Sequence, residues 1–198
     1  MKEVEIMATT QPIRNKKELC ALKDYYLKQK PNLRNYALIV TGINTALRIS
    51  DTLELKWKDV CDGSLGKFRH HIVVREHKTG KENIIAINQN VTHALAEYRD
   101  SLASPQLSQY LFPGRRADAP LSRSQAFRII KQACAVLHIS GNISCHSLRK
   151  TFGYHAWVAG ANPIILMQIY NHSSFRITKR YLGIEQDDKD QVFLDLKL

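Results

Sequence analysis

KFRHHIVVREHKTGKENIIAIN, residues Lys67–Asn88, is where the chain changes character. The β-branched run Ile72-Val73-Val74 and the run Ile84-Ile85-Ala86-Ile87 flank a polar segment containing Lys78-Thr79-Gly80-Lys81. Such runs on either side of a Gly-bearing turn predict a β-hairpin. Outside this stretch the apolar spacing is helical. Upstream, Leu19, Leu22, Tyr26 and Leu27 recur at helical intervals, Pro31-Asn32 breaks the pattern, and the apolar stretch Tyr36 to Leu47 follows. That predicts two helices, the second strongly buried. Downstream come Val91 to Leu102, a loop at Leu111-Phe112-Pro113-Gly114, and Ser122 to Leu137. Three shorter helices are expected at about 146–159, 162–170 and 174–183, with Gly160 and Pro163 as punctuation. The expected fold class is α+β, a mostly helical domain with a small antiparallel sheet near its middle. Residues 1–13 have no clear period and read as a leader, 14–185 as one domain, and 186–198 as a C-terminal tail.

A chain of 198 residues can bury a core without covalent staples. Its four cysteines, Cys20, Cys61, Cys134 and Cys145, form neither a Cys-x-x-Cys pair nor a zinc-spaced cluster, which suits a reduced cytoplasmic protein with no structural metal. The N-terminus lacks the basic-then-apolar order of a signal peptide, and no run is long enough to span a membrane. Charge supplies the first functional hint. Lys plus Arg number 29 against 18 Asp plus Glu, a formal +11, and such an excess attracts polyanions, nucleic acid above all. The basic residues recur in separate clusters, at Arg14 to Lys17, Lys67 to Lys81, Arg115-Arg116, Arg123 to Lys131 and Lys179-Arg180. A folded surface, not a basic tail, would have to assemble them.

His146-Ser147-Leu148-Arg149 places a His and an Arg three apart, on one face of a helix whose start Ser144 and Ser147 suit. Such a pair can hold a phosphate, the guanidinium through its planar fork and the imidazole as a proton acceptor favoured by the helix N-terminus. By itself the pair reads equally well as a solvated one. Arg48 ends an apolar stretch, where burial demands a partner, and Asp51 and Glu54 are the nearest carboxylates in sequence. Lys78 lies in the hairpin turn, an ordinary place for a solvated lysine. Tyr181 follows His172 on a short helical segment, one of eight tyrosines, several of which need no role beyond packing.

Together, in type and in order, these elements resemble the tyrosine recombinase (phage integrase) family from about Pro12 to Leu182. The resemblance runs through Thr41-Gly42, Ala46-Leu47-Arg48-Ile49-Ser50-Asp51, Lys78-Thr79-Gly80, Leu111-Phe112-Pro113, His146-Ser147-Leu148-Arg149-Lys150-Thr151-Phe152, Gly160, His172-Ser173-Ser174 and Tyr181. It implies Tyr181 as a nucleophile forming a 3′-phosphotyrosyl bond, with Arg48 and Arg149 clamping the phosphate. It further implies a phosphate hydrogen bond from His172, His146 as the acceptor of the tyrosine proton, and Lys78 as the donor to the leaving 5′-oxygen. No cofactor or metal is implied. The implied partners are double-stranded DNA, further copies of the chain as a tetramer on DNA, and accessory DNA-bending proteins, with no membrane. Arg115, Arg116, Arg123, Ser124 and Arg128 are candidates for DNA contact. A type IB topoisomerase and a non-catalytic DNA-binding regulator share the fold and are the alternatives. Three departures stand out. Lys150 and Asn171 replace the family's frequent His and Gly, and the short leader cannot form the separate front domain most integrases carry, so the size resembles the small fimbrial-switch DNA invertases. His155 also falls at a family His position but reads as a structural residue on a buried helix face. The apolar tail from Val192 is expected to dock, either on its own domain or on a neighbour.

Overall fold

The computed structural model describes residues 10–78, 80–116, 118–184 and 192–196. Helix α1 (Lys16–Asp24) starts where the Asn15 side chain accepts from the Lys17 amide, and it passes without a break into one π turn, Tyr25–Gln29. Tyr25 and Tyr26 are both buried there, edge to face at 4.8 Å, and the Tyr26 hydroxyl donates to the Ile129 carbonyl. Helix α2 (Leu33–Thr45) is capped by Asn32, which accepts from the Asn35 amide. Consecutive residues Leu38, Ile39 and Val40 are buried, so α2 is covered on more than one face and forms the central post of the fold.

The expected helix to Leu47 stops two residues early, because Ala46 takes a left-handed conformation at φ 53°. Its carbonyl receives the Arg149 guanidinium, a tertiary contact that no Gly or Asn announces in the sequence. Two helices absent from the sequence reading follow, α3 (Ile49–Leu53) and α4 (Trp57–Val60). Five and four residues are too few to show a period. The hairpin forms where expected. Strands β1 (His71–Arg75) and β2 (Glu82–Ala86) pair antiparallel, from His71 opposite Ala86 to Arg75 opposite Glu82.

Helices α5 (Gln89–Asp100), α6 (Arg123–Val136), α7 (Cys145–Val158), α8 (Pro163–Tyr170) and α9 (Phe175–Leu182) complete the described elements. Their starts carry sequence-legible caps: Asn88 for α5, the Ser122/Gln125 box for α6, Asn162 and Pro163 for α8, and Ser174 for α9. Two large apolar clusters share α2. One joins it to α4, β1 and α5, and the other joins it to α1, the π turn, α6 and α7. A third and smaller cluster, Ala46, Leu166, Tyr170, Leu182 and Ile184, fastens α8 and α9 to the end of α2. Gly153 allows this: a Cβ there would collide with Leu182 and Tyr170, so its absence lets both helices press onto α7.

Residues 1–9 of the segment read as a leader lie outside the described residues, but 10–13 are part of the fold. Ile13 is 1% exposed in the core, and its amide donates to Thr151 Oγ1 at 2.9 Å. The Gln11 amide donates to the Asn142 carbonyl, so this strap is fixed at both ends. Of the tail, 186–191 and 197–198 lie outside the described residues. Val192, Phe193, Leu194 and Leu196 are exposed, with no apolar cover in the described chain. Among the described residues no helix is long and apolar enough to cross a membrane.

Candidate active site

Arg48 sits at the N-cap of α3 in extended conformation, two residues after the left-handed Ala46. Its Nη1 lies 2.6 Å from Glu76 Oε2, and Glu76 is fully buried just beyond β1. Asn83 Nδ2 donates to the other Glu76 oxygen at 3.3 Å. A pairing of Arg48 with Asp51 or Glu54 is therefore not what forms. Glu54 is exposed, and Asp51, 4% exposed, accepts instead from the His77 amide at 3.2 Å. Both acids bind the hairpin to the Arg48 corner, and the sequence reading assigned neither this job. The one signal was an acid, Glu76, standing between cations in a basic hairpin.

Lys78 is exposed at the hairpin turn, which closes through the Gly80 amide to the Glu76 carbonyl at 2.8 Å with Gly80 at φ 66°. Thr79 lies outside the described residues. Lys78 is close enough for its charge to be felt at His146 on the first turn of α7. There, loss of hydration, then the charges of Lys150, Arg149, Arg48 and Lys78, hold the imidazole below its usual pKa. His146 is thus neutral at pH 7 and able to accept a proton.

Arg149, one helical turn on, is 3% exposed. Its guanidinium donates to the Ala46 carbonyl and lies 4.7 Å from the centroid of the Tyr170 ring. Burial lowers its pKa without approaching neutrality at pH 7. Tyr170 is fully buried, its hydroxyl donating to the Arg149 carbonyl at 2.7 Å. Between α8 and α9, Asn171 takes the left-handed conformation at φ 55° that ends α8, as expected of Asn in place of Gly.

His172 follows, stacked on Tyr170 at 5.5 Å and edge-on to Tyr181 at 5.3 Å. Its Nδ1 lies 3.0 Å from Thr178 Oγ1, whose alternative acceptor, the Ser174 carbonyl, is farther at 3.4 Å. When the Thr178 hydroxyl turns to Nδ1, the ring proton sits on Nε2. Burial, Arg149 and Arg48 depress the His172 pKa, so the ring is neutral at pH 7. Thr178, fully buried, escaped the sequence reading because a threonine in a short helix carries no local mark.

Tyr181 is part-buried on α9, its ring 5.3 Å from those of Tyr170 and His172. Burial raises its pKa, while the charge and hydrogen bonding of Arg149 and the charge of Arg48 oppose the rise. A phenol so placed needs a base to ionise, and cations wait to stabilise the oxyanion. Arg48, His146, Arg149, His172 and Tyr181 thus share one electrostatic site, with Lys78 at its open edge.

Arg123, Ser124 and Arg128 lie on the exposed face of α6, beside the exposed Phe127. Arg115 and Arg116 are exposed on the loop before it, and Arg116 is paired with Asp118 at 2.8 Å. His155 is only half-buried, its ring nitrogen 3.0 Å from the Ile13 carbonyl, so it serves the strap and not a closed helix face. Among the described residues no group of three or more His, Cys, Asp or Glu is gathered to hold a metal.

The profile of the phage integrase family matches residues 14–187. A probable integrase/recombinase of Bacillus subtilis, YoeC, is 39% identical over 181 residues, which is 91% of this chain and 93% of that protein. Tyrosine recombinase XerC of Pelobacter propionicus is 27% identical over 163 residues, 81% of this chain but 51% of XerC. The chain therefore spans nearly all of the first relative and about half of the second. In fold it is similar to the crystal structure of XerA recombinase, with a TM-score of 0.74 at 23% identity over 94% of this chain and 66% of that one. With the site residues in the expected order and a profile match over most of its length, the chain belongs to the phage integrase family, the tyrosine recombinases.

Proposed function

We propose that this protein cuts and rejoins double-stranded DNA at specific sites, with Tyr181 as the nucleophile. The observation that carries the reading is a part-buried phenol held in one electrostatic site with two arginines and two histidines. Tyr181 Oη attacks phosphorus, its proton passes to His146, and the P–O5′ bond breaks to leave a 3′-phosphotyrosyl link. Arg48 and Arg149 stabilise the charge on the non-bridging oxygens, and the His172 Nε2–H donates to one of them. Lys78 protonates the departing 5′-oxygen. The bond energy stays in the phosphotyrosyl link, so attack by another 5′-hydroxyl reverses every step. As pH falls through the depressed His146 pKa, the base is lost and cleavage should slow.

The basic face of α6, with Arg123, Ser124 and Arg128, and the Arg115-Arg116 loop are the surfaces we assign to DNA. Solved structures similar in fold include a lambda integrase dimer bound to a COC′ core site, with a TM-score of 0.65. Assembly as a tetramer on DNA, with the exposed apolar tail seated on a neighbour, extends the same reading. A DNA substrate nicked so that the cleaved strand diffuses away should trap the protein covalently, and absence of any trapped species on all recovered sites would overturn it.

Two variants test the assigned roles. Lys78→Ala should be rescued when the scissile 5′-oxygen is replaced by sulfur, because a thiolate leaves without a proton; an unrescued variant removes Lys78 as the acid. Thr178→Val should cleave about tenfold more slowly at neutral pH, since the donor that fixes the His172 tautomer is gone. In the imidazolium both ring nitrogens carry protons, so the deficit relative to the parent chain should shrink as pH falls. A deficit that is constant with pH would argue for a purely structural Thr178.

A further inference from the structure

We propose that Lys150 is a positioning residue for the nucleophile, holding the face of the Tyr181 ring while tied to the strap at Thr10. The inference rests on Tyr181 being the attacking group. Lys150 follows Arg149 on α7 and is 8% exposed. An ammonium is costly to bury without a partner, and among the described residues no carboxylate pairs with it. Its partners are of another kind: Nζ donates to the Thr10 carbonyl at 2.5 Å and lies 5.1 Å from the centroid of the Tyr181 ring. An ammonium over a ring face is attracted by the ring quadrupole, which fixes the plane of the ring without touching its oxygen.

The surroundings explain why such a hold is needed. Between the strap and α9 lies a cavity of about 820 Å³, lined by strap residues, Lys150, Arg176, Lys179 and Arg180 among others. Among the described residues apolar packing therefore does not brace α9 on that side. Instead two cations cross from one element to another. Arg14 donates to the Gly183 carbonyl at the end of α9 and lies over the Tyr154 ring of α7 at 5.1 Å. Lys150 joins α7, the strap and the nucleophile itself. The strap is anchored independently, through Ile13 to Thr151 and Gln11 to Asn142, so it offers Lys150 a fixed point. Arg149 and His172 act at the hydroxyl end and the edge of Tyr181, and Lys150 at its face.

The test compares Lys150→Met, which keeps the stem and removes the charge, with Lys150→Arg, which keeps a cation able to lie over a ring and to donate to a carbonyl. Full-length variants are measured for DNA affinity, melting temperature and the single-turnover rate of covalent attachment to a nicked trap duplex. The Met variant should bind DNA within about twofold of the parent and melt no lower, yet attach roughly ten- to a hundredfold more slowly. The Arg variant should recover most of that rate. A packing role predicts the opposite order, since Met fits the lysine's space better than Arg. Attachment by the Met variant at the parent rate, or equal loss in both variants, overturns the proposal. If Met fails to fold, Lys150→Gln keeps the tie to Thr10 without the charge; slow attachment with normal binding supports the proposal, and the parent rate overturns it. Tyr181→Phe run alongside separates the two layers. Attachment that survives it removes the nucleophile assignment, whereas its loss together with a normal Met variant removes only the role of Lys150.

Discussion

Tyr181→Phe is expected to abolish covalent attachment to DNA while leaving the fold and DNA affinity nearly intact. The substitution removes one oxygen and keeps the ring that packs at 5.3 Å against both Tyr170 and His172. The lost hydroxyl interaction with Arg149 should change stability by only about 1 kcal/mol. Tyr170 is the instructive control, because it lies in the same aromatic group and also beside Arg149. Its hydroxyl is already committed to the Arg149 carbonyl, it is fully buried, and burial drives its pKa above that of an ordinary phenol. Tyr170→Phe should therefore lower the melting temperature modestly and spare attachment. The reverse pattern would exchange the two assignments.

Arg149→Ala should show a double deficit. The proposed charge stabilisation is worth a fall of about a hundredfold to a thousandfold in cleavage rate, the scale of one lost oxyanion donor. The same guanidinium also satisfies the Ala46 carbonyl and covers the Tyr170 ring, and leaving that carbonyl unpaired should cost about 1–3 kcal/mol of stability. Arg149→Lys separates the two effects. An ammonium retains charge and one donor but not the planar fork, so melting should return toward the parent while cleavage remains strongly impaired. Chemical denaturation and single-turnover cleavage, measured on the same preparations, check both halves. Full recovery of cleavage in the lysine variant would show that charge alone, without the fork, suffices at this position.

The fold class, the hairpin and the long helices were legible in the sequence because their signals are local. Period, β-branched runs and cap residues such as Asn32, Asn88, Ser122 and Ser174 mark them within a few residues. Helices α3 and α4 are too short for a period. The end of α2 is set by a contact between Ala46 and Arg149, 103 residues apart in sequence, which no window can register. The candidate site residues could be singled out because they are polar groups of distinctive type in a distinctive order. What the sequence could not reveal is what stands behind them. Glu76 holds Arg48 from across the hairpin, Thr178 sits against the His172 ring nitrogen, and Lys150 bridges the strap and the Tyr181 ring. Each is an ordinary residue until the fold brings its partner near. The packing of the strap is hidden for the same reason, since Ile13 follows a proline in a stretch without period and meets its core neighbours and Thr151 only in the fold.

Recovery and sequencing of the DNA-linked peptide tests the central assignment most directly. The chain is incubated with a nicked trap duplex, denatured and digested, and the peptide carrying the nucleotide is identified by mass spectrometry. The expected product is a phosphodiester between Tyr181 and a DNA 3′ end, released with a free 5′-hydroxyl on the other strand segment. A nucleotide on any other residue, a bond to a 5′ end, or cleaved DNA with no protein attached would contradict it.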